Sequence, residues 1–223
     1  MSSEPLLTFE QTRVLGCLLE KEMATPDYYP MTTNGLITAC NQTTNREPVV
    51  QFDERTVEEA LLGLRQKQMA AMVHLHGSRA PKFKHLLDAY FPGLGRPELA
   101  ALAVLLLRGP QTVAAIRTRC ERLYAFPSPE ATEAALKRLC DYGNGPLAAY
   151  LPPGSGRRAA CYVHLLGGEP PAGAAPVGTP SENVIPPPPD WKAEMERQLA
   201  ELRDEVAALR QRVQSLETAL GGP

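Results

Sequence analysis

Apolar and polar positions along this chain fall into a pattern that occurs twice. Val57, Ala60, Leu61 and Leu64 recur at the spacing of one helical face, and Thr132, Ala135, Leu136 and Leu139 take the same places 75 residues later. Asp53 and Ser128, also 75 apart, stand where those helices need caps, with Glu54 in one opening turn and Pro129 then Glu130 in the other. Two short extended segments follow each helix, 69–75 with 81–85 and 147–151 with 159–163. Gly77-Ser78 supplies the first turn and Pro152-Pro153-Gly154-Ser155-Gly156 the second. Both pairs close on one tripeptide, His85-Leu86-Leu87 and His164-Leu165-Leu166, so the repeated units span 53–85 and 128–164.

Two more helices are predicted ahead of each unit. In the first, Thr8 caps residues 8–22, Val14, Leu15, Leu18 and Leu19 form the apolar stripe, and Arg13, Glu20 and Lys21 are expected to face water. The second starts at Thr32, turns Leu36, Ile37 and Cys40 inward, and stops in the polar run 41–47, after which an extended 48–52 leads to Asp53. After a connection over 86–95, residues 96–108 repeat the first helix through Leu99, Leu102, Leu105 and Leu106, and Gly109-Pro110 ends it. Thr112, Ile116 and Cys120 then match Thr32, Leu36 and Cys40 at a shift of 80. Helix, helix, helix, hairpin is the order of a winged helix-turn-helix. The predicted fold class is α+β, mainly α: two tandem winged helix-turn-helix domains, 1–95 and 96–166, followed by a C-terminal coiled-coil helix.

Residues 167–189 read as a linker, because eight of the 23 are proline and few side chains are available to bury. In 190–220, Met195, Leu199, Leu202, Val206, Leu209, Val213, Leu216 and Leu220 alternate spacings of four and three without a slip, which is a coiled-coil seam. Leu199, Val206, Val213 and Leu220 take the a positions. A parallel pair would set Glu205 against Arg210 and Arg212 against Glu217, so a homodimer is expected; a single helix packed on its own chain is the alternative.

Composition narrows the class without naming a function. The 223 residues are 43% hydrophobic, ordinary for a globular chain, and the longest apolar run, 99–107, falls well short of the ~20 residues a membrane helix needs. The first eight residues lack a basic start and an apolar core of the signal-peptide type, so a cytoplasmic location is expected. Five cysteines, Cys17, Cys40, Cys120, Cys140 and Cys161, form no CxxC pair and are read as reduced, with Cys40 and Cys120 as matched core thiols. The net charge of −2 hides an uneven distribution: 9 basic and 11 acidic residues in 1–95, 9 and 5 in 96–168, 5 and 9 in 169–223. Only the middle stretch carries the charge expected of a surface that meets polyphosphate.

Several blocks resemble the bacterial YceH-like family: Glu20-Lys21-Glu22, Thr25-Pro26-Asp27-Tyr28-Tyr29-Pro30, Ala39-Cys40-Asn41-Gln42 and Asn45-Arg46-Glu47-Pro48-Val49, then Arg96-Pro97-Glu98-Leu99 and Arg108-Gly109-Pro110-Gln111-Thr112. The resemblance spans 7–166. It implies two winged-helix domains in a cytoplasmic bacterial protein and brings no reaction, ligand or catalytic residue with it.

A winged helix reads duplex DNA by laying its third helix in the major groove, with basic wing residues on phosphate. In the first domain the third helix sets Arg55, Arg65 and Lys67 against Asp53, Glu54, Glu58 and Glu59, while the wing offers Arg79, Lys82 and Lys84. The second domain offers Arg117, Arg119 and Arg122 on its second helix, Lys137 and Arg138 on its third, and Arg157 and Arg158 on its wing. These ten are the candidate contacts to double-stranded DNA, mainly through the second domain; a plain solvated surface, or pairing with the acidic tail, is the other reading. The acidic third helix of the first domain leaves a protein partner as the alternative function. His74 and His76, with His85 across the hairpin, have the composition of a zinc site but read better as wing surface, so neither metal nor cofactor is expected. Asn41, Asn45, Arg46 and Glu47 either order the loop before Phe52 or form a contact patch. No GxSxG, GxxxxGK[ST] or HExxH motif is present, and the chain is not expected to be an enzyme.

Overall fold

Local chemistry starts each long helix where the sequence predicts, and the computed structural model describes residues 6–74, 80–154 and 158–168. Helix α1 (Phe9–Ala24) opens on a capping box, with Gln11 N–H donating to Thr8 Oγ1 at 3.3 Å and Thr8 N–H to Gln11 Oε1 at 3.1 Å. Thr32 caps α2 (Thr33–Cys40) and Asp53 caps α3 (Glu54–Gln66) by accepting from Thr56 N–H at 2.8 Å. A hairpin follows, β1 (Ala70–Val73) antiparallel to β2 (Lys82–His85), and then a one-turn helix α4 (Leu87–Tyr90) inside the expected connection.

The same order returns: α5 (Arg96–Arg108), α6 (Val113–Cys120) capped by Thr112, α7 (Pro129–Cys140) capped by Ser128, and a hairpin of β3 (Ala148–Leu151) with β4 (Cys161–His164). Gly109 ends α5 at φ +68, the left-handed region where glycine has no side-chain penalty. A third short segment lies beside each hairpin. Met31 exchanges backbone hydrogen bonds with Phe83 at 3.0 and 2.7 Å, and Gln111 does so with Tyr162 at 2.9 and 2.8 Å. The chain is thus mainly helical α+β, with small antiparallel sheets.

The core is continuous through both repeats. Every residue of α5 from Glu98 to Leu107 is buried, which explains why 99–107 is apolar on all sides: one part of its surface meets α1 and others meet α6, α7 and β4. Gly16 lets α1 approach closely, since a Cβ there would lie 2.9 Å from Leu107 Cγ and Cδ2. Backbone bonds also join the repeats, from Glu47 N–H to Leu107 O and from Leu7 N–H to Leu166 O, both at 2.8 Å.

Three expectations for α1 fail for a common reason. Arg13 is fully buried, its guanidinium donating to Cys40 O at 3.3 Å and Pro48 O at 2.7 Å, and Glu20 and Lys21 are only 14% and 18% exposed. The end of α2 and the loop after it pack on this side of α1 and supply the partners: Arg13 donates to their carbonyls from the flank of the apolar stripe, Glu20 accepts from Arg46, and Lys21 Nζ donates to Gln42 Oε1 at 3.4 Å. Most of the linker and the whole predicted coiled coil, with Met195, Leu199, Leu202, Val206, Leu209, Val213, Leu216 and Leu220, lie outside the described residues.

Candidate functional site

The polar cluster at the end of α2 orders its loop. Asn41 Nδ2 donates to Phe52 O at 2.8 Å while Phe52 N–H donates to Asn41 Oδ1 at 2.7 Å, which folds 41–52 back on itself. Arg46 is 2% exposed and donates to Ala39 O, Asn45 O, Gln42 Oε1 and both carboxylate oxygens of Glu20. Burial pushes the Glu20 carboxyl up, but the Arg46 hydrogen bonds and charge outweigh it and hold the group below its ordinary value. These side chains are satisfied inside the protein.

The histidines do not converge. His85 pairs with Ala70 and Lys82 with Val73, so His85 sits at the base of the first hairpin and His74 at the opposite end. The His85 imidazole is buried; Leu87 N–H donates to Nδ1 at 3.2 Å, which leaves Nε2 to donate to Glu22 Oε2 at 2.6 Å. That bond is the largest cause holding the Glu22 carboxyl below its ordinary value. His76 lies outside the described residues. Among the described residues no group of three or more His, Cys, Asp or Glu side chains is placed to hold a metal ion. Cys40 and Cys17 are buried with their sulfurs 3.7 Å apart, and burial pushes the Cys120 thiol up to about 12.

The candidate cations do not form one surface. Lys137 pairs with Glu133 at 3.2 Å, and Arg138 pairs with the buried Glu98, so the basic residues of α7 are held by carboxylates. Arg117, Arg122 and Arg158 are exposed, and none has a carboxylate within ion-pair distance among the described residues; Arg117 Nε donates to Phe126 O at 3.4 Å. Lys82 and Lys84 stand half-buried along β2. Arg79 and Arg157 lie outside the described residues.

Arg119 belongs elsewhere. With Arg122 it lines a cleft of about 540 Å³ between the two repeats, joined by Arg108 from the end of α5, a residue sequence reading did not select. Arg119 Nη1 is sealed from water and has no hydrogen-bond partner. Burial, and then the like charge of Arg108, push its guanidinium down to about 10. The signal that could have pointed here is the position of Arg108 directly after the apolar run 99–107, at the C-terminal end of α5.

On the acidic side, α3 presents Glu54, Glu58 and Glu59 to solvent beside Leu62, which is 53% exposed; Arg55 pairs with Glu59 at 2.7 Å, and Arg65 stands exposed in the last turn. No helix among the described residues is long and apolar enough to cross a membrane.

Comparison with known proteins adds a family. Residues 7–157 match the family described as "Protein of unknown function, DUF480". A UPF0502 protein of Pelobacter propionicus is 45% identical over 210 residues, covering 93% of this chain and 94% of that protein. UPF0502 proteins of Photobacterium profundum and Geobacter sulfurreducens are 41% and 44% identical, each over 92% of this chain and 96% and 91% of their own lengths. Such coverage exceeds what 7–166 contains, so the similarity runs into the tail.

Proposed function

The chain belongs to the DUF480 family of UPF0502 proteins, and from that premise we propose that it is a non-enzymatic, cytoplasmic DNA-binding protein, a dimeric regulator in which each chain carries two winged-helix units. Support for the units comes from the repeated order of three helices, a hairpin and a third extended segment bonded to it at Met31 or Gln111. The observation that carries duplex binding is the distribution of unpaired charge. Arg117, Arg122 and Arg158 of the second repeat are exposed without a carboxylate partner among the described residues, whereas carboxylates outnumber cations on the outer face of α3. Two modest surfaces of this kind gain affinity when a dimer presents them together, which gives the heptads at 190–220 their role.

A gel shift of the full chain on mixed-sequence duplex at about 50 mM salt tests the reading, because phosphate contacts are strongest there. Binding should weaken in Arg117→Gln/Arg158→Gln and in Arg157→Ala/Arg158→Ala. Absence of any shift on any duplex at that salt would end the proposal. One observation favours a second reading: Leu62 exposed among the α3 carboxylates suits a basic protein partner better than DNA. A partner lost on Leu62→Lys, with duplex binding absent, would assign the chain to protein docking.

A further inference from the structure

The cleft between the repeats has features that a surface for duplex DNA does not require. Its walls come from both halves: Glu20 and Lys21 with Asn45 on one side, Arg108, Arg119 and Arg122 on the other. Glu20 is already engaged by Arg46 and Lys21, so its charge is spent inside the first repeat. Glu121 is the other carboxylate on the wall and the Glu47 charge also reaches Arg108 and Arg119, which with Lys21 beside the three arginines still leaves the cleft positive. None of the three makes an ion pair among the described residues, and Arg119 keeps one buried nitrogen without an acceptor. Arg119 is partly buried beside Arg108, and the two like charges repel, so an oxyanion in the cleft would offset both. The floor is apolar, formed by Val104, Leu107 and Leu123, and the volume lies in the range of small-molecule sites.

We propose that this cleft binds a small phosphorylated molecule, with the phosphate on Arg108 and Arg119, Arg122 at the mouth, and a less polar body against the Val104–Leu107 side of the floor. Phosphate fits better than a single carboxylate because its multiple charged oxygens engage more than one guanidinium at once. Since Arg119 reaches the cleft from α6 and the facing wall from α1, the occupant would bridge the repeats and bias how they pack, as an effector does. Nothing in this reading depends on duplex binding.

Calorimetric titration of the full chain in a phosphate-free buffer, with pyrophosphate, inorganic phosphate and citrate as probes, tests it. Pyrophosphate should bind, Arg119→Gln should weaken it by about tenfold or more, and Arg55→Gln should leave it unchanged. Arg119→Gln also removes a partly buried charge that Arg108 repels, so its thermal midpoint without ligand should stay within a few degrees of the starting protein's or above it, which separates lost binding from lost fold. The proposal is overturned if pyrophosphate fails to bind at about 10 mM, an affinity too weak for a built site. Unchanged binding in Arg119→Gln, or tighter binding of citrate than of pyrophosphate, would overturn it too. So would an Arg119→Gln variant that loses duplex affinity while neither protein binds pyrophosphate, because the guanidinium would then serve DNA.

Discussion

The Arg46 guanidinium meets the Glu20 carboxylate along two parallel bonds, Nη1 to Oε1 at 3.0 Å and Nη2 to Oε2 at 2.6 Å, with the arginine side chain wholly out of solvent. The pair joins α1 to the loop after α2, and its other donors close the carbonyls of Ala39 and Asn45. Arg46→Gln leaves the largely buried Glu20 carboxylate with Lys21 alone and takes the guanidinium from two carbonyls. Urea unfolding should register a loss of about 3–5 kcal/mol, the usual cost of breaking one side of a buried pair. Arg46→Lys should recover only part of it, since an ammonium cannot make the forked contact. A loss no larger than that of an exposed control such as Arg55→Gln would refute the structural role.

Gly16 makes a prediction whose sign is informative. In an open helix, glycine to alanine stabilises by about 1 kcal/mol through backbone entropy. Here the new Cβ would meet Leu107 Cγ and Cδ2 at 2.9 Å and Leu106 Cβ at 3.1 Å, and both leucines are buried. Gly16→Ala should therefore lower the thermal midpoint, and Gly16→Val should cost about 1–3 kcal/mol. A raised midpoint in Gly16→Ala would show that α1 and α5 do not pack this closely.

His164, at the base of the second hairpin, should make the fold sensitive to acid. His85 is bonded to Glu22, whereas His164 has its Nδ1 buried without a partner and burial pushes its pKa down to about 4. A depressed histidine binds its proton more weakly when folded, so the unfolded chain takes up protons first as pH falls below about 6.5. Stability linked to His164 is complete above that value and is lost as pH falls toward 4. Because part of the residue stays exposed, the difference should be of order 1–2 kcal/mol, less than the full shift would give. Comparing urea midpoints at pH 7.5 and pH 4.5, His164→Gln should lose less than the starting protein. Equal losses would remove His164 as a source of acid sensitivity.

Caps and repeats were legible in the sequence because they are local. Thr8, Thr32, Asp53, Thr112 and Ser128 each act on a backbone N–H three residues ahead, and no distant contact competes. Helical spacing also marked the inward face of α3 and α7 correctly. What periodicity could not show was the reach of long side chains: Arg13 and Glu20 leave their expected faces to satisfy carbonyls and cations supplied by a loop. The nine-residue apolar run in α5 signalled burial on all sides, and reading it as one more amphipathic helix concealed how closely the repeats share a core. For the same reason the arginines of α6 looked alike in sequence, although Arg117 faces solvent and Arg119 enters the cleft.

Dimerisation through 190–220 rests on the heptads, and it connects the fold to function quantitatively. If the heptads pair as their spacing predicts, four of them would span about 45 Å, short enough that pairing should be reversible and sensitive to one polar substitution in the seam. Sedimentation equilibrium of the full chain should give twice the 24.3 kDa chain mass, falling to a single mass in Leu209→Asp. If the two chains present their basic surfaces together, the second contact occurs at millimolar effective concentration, and that variant should lose about 100-fold in duplex affinity without touching a phosphate-binding residue. Pyrophosphate affinity should be unaltered, because the cleft lies within one chain. A monomeric starting protein would discard the dimer, and an unaltered duplex affinity in Leu209→Asp would show that valency contributes nothing to binding.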